Sequence, residues 1–257
     1  MTPRRPRIVM LCGDGLSSWF MYNALAAEAE ILAVVVERKP SSRAMIRHRL
    51  RQLGWFTVIG QLAFIAFNRL LARWQQRRID ELVQRYALQA TLPPADITHR
   101  VPSINAAAVR RLLKKLDPDA VVVNGTRIIS RTVIDCIERP FINTHVGITP
   151  RYRGVHGGYW ALVHDDAENC GVTVHLVDAG VDTGGVLYQQ RIRVERSDGF
   201  NTYPLHQLAA AIPLMKQALR DVLDGTLVSR DGVGPSKLWY HPTLGQYLRY
   251  RFTKSVK

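Results

Sequence analysis

The chain has 257 residues, 47% of them hydrophobic, and a formal net charge of +14. That is enough to bury a large core in one domain, or in one domain with a small addition, and too apolar for a disordered or fibrous protein. Cys12, Cys136 and Cys170 stand far apart with no CxxC or Cys/His ligand spacing, which argues against a disulfide framework or a bound metal and for a reducing, cytoplasmic compartment.

The opening MTPRRPRIVMLCGDG carries too short an apolar run for a signal peptide. No stretch reaches the roughly 18 apolar residues expected of a membrane span. Residues 7–12 read as a buried strand, GDGLSS as a turn, 19–29 as a helix and 31–36 as a second strand rich in β-branched residues. A basic segment follows. Residues 80–89 read as a helix broken by Pro93 and Pro94, 97–101 as a short strand, 105–116 as a helix and 120–123 as a strand. Next come a helix over 130–137, a strand over 141–145, a helix over 157–164, strands over 170–177 and 186–194, and a long helix over 202–223. Strands alternating with helices predict an α/β fold, a mostly parallel sheet with helices on both faces. The expected organisation is a domain over 1–225, with an insertion over 43–78, and a short aromatic and basic C-terminal appendage over 226–257.

One stretch departs from the pattern of a buried strand. In FINTHVGITPRYRG the polar Asn143 and His145 stand two apart, so both point to one face of an extended chain, at the carboxyl end where open α/β sheets bind ligands. Some forty residues on, CGVTVHLVDAGVDTGGVL puts Asp182 in a Gly-flanked loop behind a strand that carries Thr173 and His175. His175 reads either as a structural strand histidine or as a neighbour of the site.

Asn-x-His on a strand, the PxxRG turn after it and the VDxG loop together resemble the signature of the folate-dependent formyltransferases, from about residue 7 to 225 and most closely over 122–190. The resemblance implies a Rossmann-like formyltransferase fold and an N-formyltransferase using 10-formyltetrahydrofolate, with no metal. In the family's chemistry an amine attacks the formyl carbon and an oxygen becomes negative, so the site needs hydrogen-bond donors there and a group to take the amine's proton. By resemblance Asn143 and His145 polarise the formyl carbonyl, and Asp182 orients and charges His145 and helps move protons. Arg127, Ile128 and Ile129 of NGTRII are implied folate contacts, and Val177, Asp178 and Gly180 close the other side of the pterin.

The acceptor amine is expected between GDGLSS and His145, with any phosphate held by Gly13, Gly15, Ser17 and Ser18 at the start of a helix. The purine-pathway member of the family carries a Gly-Ser-Asn type loop at this place, whereas here Asp14, Leu16 and Trp19 occur. The member acting on charged tRNA continues into a C-terminal barrel, and the deformylase relative has an N-terminal regulatory domain. Both are expected to be missing here. These differences favour a small amine, above all an amino sugar on a nucleotide carrier or a hydroxylated ornithine. Phosphoribosylglycinamide is the next choice. A non-catalytic membrane- or nucleic-acid-binding protein on the same fold is the alternative of another class.

The basic segment stands outside the resemblance. Between Arg38 and Arg78 there are ten Arg or Lys and no Asp or Glu, and between Arg51 and Arg69 no charged residue at all. Residues 43–78 therefore suit packing on the protein's own body, self-association with a second subunit, or an in-plane helix at an anionic membrane surface, peripheral at the inner face; nucleic acid is the least favoured partner.

Overall fold

The computed structural model describes residues 4–39 and 42–257. The first three residues of the basic start, and residues 40 and 41 of the basic segment, lie outside the described residues. The chain runs β1 (Arg7–Gly13), α1 (Leu16–Ala26), β2 (Glu30–Glu37), then three helices in succession, α2 (Ser42–Leu53), α3 (Trp55–Trp74) and α4 (Gln76–Arg85). It continues through β3 (Thr98–Val101), α5 (Ala107–Leu116), β4 (Ala120–Asn124), α6 (Arg131–Ile134), β5 (Phe141–His145), the two-residue β6 (Arg153–Gly154) and α7 (Gly157–Val163). It ends with β7 (Gly171–Leu176), β8 (Val186–Arg191), α8 (Tyr203–Asp224), β9 (Leu238–Trp239) and α9 (Leu244–Thr253).

Seven strands form one sheet in the order β3-β2-β1-β4-β5-β7-β8. β1 to β5 pair in parallel, while β7 is antiparallel to both β5 and β8. The expected mostly parallel sheet is borne out, and the period-two alternation of each strand explains its two covers. Ile8, Met10 and Cys12 of β1 join Trp19 and Phe20 of α1 and Leu208 and Met215 of α8 on one face. Val9 and Leu11 join Val109 and Leu113 of α5 and Val133 of α6 on the other. The chain adds β2 and β3 to one side of β1 and β4 and β5 to the other, so the strand order reverses between β1 and β4, and a crevice opens at the carboxyl ends of the strands.

Several boundaries differ from expectation for local reasons. α1 begins at Leu16, three residues early, because extended Gly15 already serves as its N-cap. The helix expected over 80–89 starts at Gln76 and ends at Arg85, just before Ala87 takes a left-handed φ of 49°. The appendage over 226–257, for which no regular element was predicted, holds β9 and α9. Thr243 and Gln246 form a capping box at the start of α9, with bonds of 3.1 and 2.9 Å. This T-x-x-Q pattern is legible in the sequence.

A third core, mostly aromatic, joins the insertion to the body. Phe64 of α3 is 1% exposed and packs edge-on to Phe200 at 4.8 Å and against Tyr247 of α9 at 5.2 Å. Polar contacts hold α3 from the same side: Gln61 donates to the His241 carbonyl at 2.8 Å, and the Asn68 and Asn201 amides bond reciprocally at 3.1 and 2.9 Å. By length and composition alone α3 could cross a bilayer, which corrects the expectation that no such stretch exists. Its packed face and these bonds fasten it along the body instead.

α4 is fastened by a buried charge cluster. Arg78 reaches Asp198 at 2.9 Å and Glu195 at 2.8 Å, and Asp198 also meets His206 Nε2 at 2.8 Å. Burial of Asp198 disfavours its charge, but His206, the Glu195 backbone N–H and Arg78 outweigh that and hold the carboxyl down at about 2. A carboxylate with a depressed folded pKa stabilises the fold above its unfolded value, and that contribution disappears as the pH falls through the folded one. We therefore expect roughly 2 kcal/mol of stability to be lost between about pH 4 and pH 2 through this group. Denaturant titrations of wild type and Asp198→Asn across that range check this: the difference between them should shrink as the pH falls.

Candidate active site

The side chains expected to do chemistry arrive from three places. Asn143 and His145 occupy the last turns of the β5 pleat on one face. The antiparallel register sets Asn143 opposite His175 and His145 opposite Thr173 on β7. Asn143 Nδ2 thus lies 3.1 Å from His175 Nε2. The loop leaving β7 then brings Asp182 back over the strand, with Oδ2 at 3.2 Å from His145 Nδ1 and Oδ1 at 3.6 Å from His175 Nε2. Asp182 has a φ of 50°, a conformation uncommon for a residue with a Cβ and found where surrounding contacts enforce it.

Those contacts come from the PRYRG turn. The Gly154 N–H donates to Asp182 Oδ2 at 2.9 Å, and the Arg153 guanidinium donates to the Val181 carbonyl at 2.9 Å. On the other side His145 Nε2 donates to the Tyr152 carbonyl at 2.6 Å. The turn is braced in its turn by the C-terminal segment, since β6 pairs with β9, Arg153 with Leu238 and Gly154 with Trp239. Gly154 has a φ of 93°, and a Cβ there would come within 2.3 Å of the Trp239 carbonyl oxygen. At Gly147 a Cβ would meet the Tyr152 carbonyl oxygen at 2.4 Å and His145 Nε2 at 2.7 Å. Both positions need glycine for the turn to reach the histidine and the carboxylate.

The protonation pattern follows from the partners. A carbonyl and an ionised carboxylate only accept, so the two ring nitrogens of His145 are both satisfied only when each carries a proton. Burial resists that and leaves His145 below the ordinary imidazole value, against the upward pull of Asp182 and the Tyr152 carbonyl. Burial also disfavours the charge on Asp182, but His145, His175 beside it and the Gly154 N–H outweigh it and hold the carboxyl at about 2. Asp182 is therefore ionised at neutral pH. His175 Nδ1 donates to the Leu176 carbonyl at 2.7 Å, so in the neutral ring Nε2 accepts from Asn143, an assignment set by the network. Asn143 keeps a second amide N–H.

These groups line a cleft of about 450 Å³ at the carboxyl ends of β4 and β5. One wall is residues 125–129 and the facing wall is 177–182. Of the expected folate contacts, Ile128 is 57% exposed on the wall, while Ile129 is buried among Val109 and Val133. The Arg127 guanidinium pairs with Glu37, with Nε at 2.6 Å from Oε1, and Arg127 is part of the wall. Val177 and Gly180 line the opposite side, and Asp178 folds the loop by accepting from the Gly180 N–H at 3.0 Å and the Thr183 hydroxyl at 2.7 Å.

The structure does not bring the GDGLSS residues into this cleft. Gly13 lies tight against the Gly125 carbonyl, Gly15 caps α1, and Asn124 Nδ2 donates to the hydroxyls of Ser17 and Ser18 at 3.4 and 3.2 Å. Ser18 is buried, so its hydroxyl belongs to the packing of α1 on β4. His145 also differs from expectation, because both of its ring nitrogens are engaged by the protein rather than pointed at a ligand. Residues outside the expected set do much of the positioning. Glu37, 5% exposed, accepts from the backbone N–H groups of Ile104 and Arg127 at 2.6 and 3.0 Å and so anchors the wall over 125–129. The register of β5 and β7 gives His175 its place, a signal available in the alternation of Thr173 and His175; the backbone roles of Tyr152 and Gly154 leave no side-chain pattern.

Residues 74–211 match the family described as formyl transferase, more than half of the chain, and the chain belongs to that family. The match begins at the last residue of α3, short of the span from residue 7 that the motifs suggest. A methionyl-tRNA formyltransferase of Syntrophus aciditrophicus (strain SB) is 35% identical over 100 residues, 38% of this chain and 32% of that protein. One of Pseudomonas syringae pv. syringae (strain B728a) is 33% identical over 156 residues, 60% of this chain and 48% of that protein. The matches thus span between about a third and a half of these relatives. Among solved structures, glycinamide ribonucleotide transformylase 1 from Symbiobacterium toebii superposes with a TM-score of 0.57 at 19% identity, over 90% of this chain and 95% of that one. A sugar N-formyltransferase from a Shewanella species superposes with a TM-score of 0.55 at 14% identity, over 91% and 76%. These two likenesses establish the shared fold.

The site makes a titration prediction. Asp182 raises the proton affinity of His145, so Asp182→Asn should move its already lowered pKa further down. Histidine-selective NMR across the acidic range checks this, and an unchanged or raised value would contradict the geometry.

Proposed function

We propose that the protein transfers a formyl group from 10-formyltetrahydrofolate to the amine of a small metabolite, foremost an amino sugar on a nucleotide carrier. The observation that carries this reading is the convergence of Asn143, His145 and an ionised Asp182 on one cleft of a formyl transferase fold.

The cleft fits a flat, hydrogen-bonding ring system. Ile128 offers an apolar cover on one wall, and Thr144, which also lines the cleft, carries a buried hydroxyl with no partner among the described residues. Residues 125–129 and 177–180 would hold the pterin; the bound cosubstrate supplies the formyl carbon and the nitrogen that leaves it. The second N–H of Asn143 would donate to an oxygen that gains negative charge, and such a donor, fixed in advance in a partly dry site, lowers acyl-transfer barriers elsewhere by about 3 to 4 kcal/mol. The His145–Asp182 pair takes up the proton the amine loses, acting as one titrating unit. The Gly154 N–H and the Tyr152 carbonyl hold both members in place.

Two features favour a small acceptor other than phosphoribosylglycinamide. The Ser18 hydroxyl is buried against Asn124, which also reaches that of the exposed Ser17, and Asp14, paired with Arg100 at 2.9 Å, puts negative charge at the start of α1. A phosphate there would meet a carboxylate.

Replacing Asn143 by Ala, His145 by Ala or Asp182 by Asn should slow formyl transfer by about 10² to 10⁴ with folate binding retained. Full activity in any of the three would sink the mechanism. For the acceptor, mass spectrometry should register one added formyl group on an amino-sugar nucleotide when amino-sugar nucleotides, hydroxyornithine, glycinamide ribonucleotide and methionyl-tRNA are offered in parallel. Turnover confined to glycinamide ribonucleotide or to methionyl-tRNA would overturn the acceptor class and leave the chemistry standing.

A further inference from the structure

The family match begins where α3 ends, and α2 and α3 carry a surface that the site makes no use of. On α3 the residues Trp55, Ile59, Leu62, Ala66, Arg69 and Arg73 recur at alternating steps of four and three, which sets them on one side of the helix. That side is turned away from the protein. Trp55 is 57% exposed, Ile59 56% and Leu62 41%, and Phe56, stacked on Trp55, is 74% exposed. The opposite side is already occupied, by Phe64 and Phe67 against Tyr247 and by the Gln61 and Asn68 hydrogen bonds. Packing on the body therefore accounts for one face of α3 and leaves this one unaccounted for.

Charge decides among the remaining occupants. Arg47 and Arg51 of α2 and Arg69 and Arg73 of α3 are exposed and form no ion pair among the described residues. The sequence from Arg38 to Arg78 holds ten cations and not one carboxylate. A second copy of this surface would bring that charge against itself, with no acidic side chains from the same segment to interleave. A nucleic acid would meet the arginines but leave the Trp, Phe, Ile and Leu stripe exposed to water. An anionic bilayer surface satisfies both requirements: headgroup phosphates meet the guanidinium groups while the aromatic and aliphatic side chains enter the acyl boundary.

We infer that α2 and α3 form a peripheral docking surface for an anionic lipid bilayer, with α3 lying in the plane of the interface and Trp55, Phe56, Ile59 and Leu62 inserted. The bonds that fasten α3 to the body exclude a spanning orientation while they persist, so binding is reversible and sensitive to salt.

Flotation of the full chain with vesicles of phosphatidylcholine containing phosphatidylglycerol, against vesicles of phosphatidylcholine alone, tests this. The protein should float with the first and not the second, and raised salt should release it. Trp55→Ser combined with Ile59→Ser should weaken partitioning about tenfold or more. Arg69→Gln combined with Arg73→Gln should weaken it about fivefold per charge. Both pairs are exposed and lie away from the cleft, so thermal unfolding and formyl transfer to a soluble acceptor should be unchanged; if one pair proves unstable, the other still decides. Several results would overturn the inference. They are absence of flotation, equal flotation with both vesicles, binding indifferent to both pairs, a dimer dissolved by Trp55→Ser and Ile59→Ser, or RNA displacing the vesicles.

Discussion

The carboxylate of Asp182 is the point at which the parts of this fold meet. It sits at the end of a loop, in a backbone conformation that a residue with a Cβ seldom adopts, and it stays there because the Gly154 N–H bonds one oxygen and two imidazoles face it. An ionised carboxyl this enclosed is tolerable only when hydrogen bonds replace the water it has lost. Its partners come from different elements: β5 supplies His145 and β6 the amide, while His175 of β7 stands beside the carboxylate at 3.6 Å. Because β6 is itself paired to β9, the C-terminal segment takes part in holding a carboxylate that lies far from it in the chain.

That arrangement also explains what could be read in the sequence. Asn143 and His145 were legible because strand geometry alone puts residues two apart on one face, and the parallel sheet was legible in the β-branched runs at 31–36 and 120–123. Asp182 was legible as the carboxylate of a Gly-flanked loop. What the sequence hid were contacts made by backbone atoms. The Tyr152 carbonyl and the Gly154 amide carry no side-chain signature, and the need for glycine at 147 appears only once its neighbours are in place. The ion pair of Arg127 was hidden for a related reason. A cation near a proposed ligand invites a role in binding, and the fold pairs this one with Glu37, buried at the end of β2.

The insertion was harder to read, because its composition suits several environments equally well. A run of apolar residues with scattered glycine and amide groups could lie in a core, an interface or a lipid surface. The fold separates the possibilities by dividing the helix lengthwise. Phe64, buried against Phe200 and Tyr247, belongs to the aromatic core, whereas Trp55 and Ile59, on the other side of the same helix, face outward. The polar Gln61 and Asn68 fall on the packed side, where their partners wait on the segments around residues 201 and 241. Their presence in an apolar run is thus explained by tertiary contacts that local pattern could not reveal.

The proposed role of the cleft over β4 and β5 is to present a folate to Asn143 and the His145–Asp182 pair. A crystal structure with tetrahydrofolate bound tests it most directly. The pterin should lie between residues 125–129 and 177–182, with the nitrogen that carries the formyl group directed toward the Asn143 amide. Folate bound instead in the larger cationic depression between α5 and α6, lined by Arg110, Arg111, Lys114 and Arg131, with the cleft at Asp182 empty, would contradict the account.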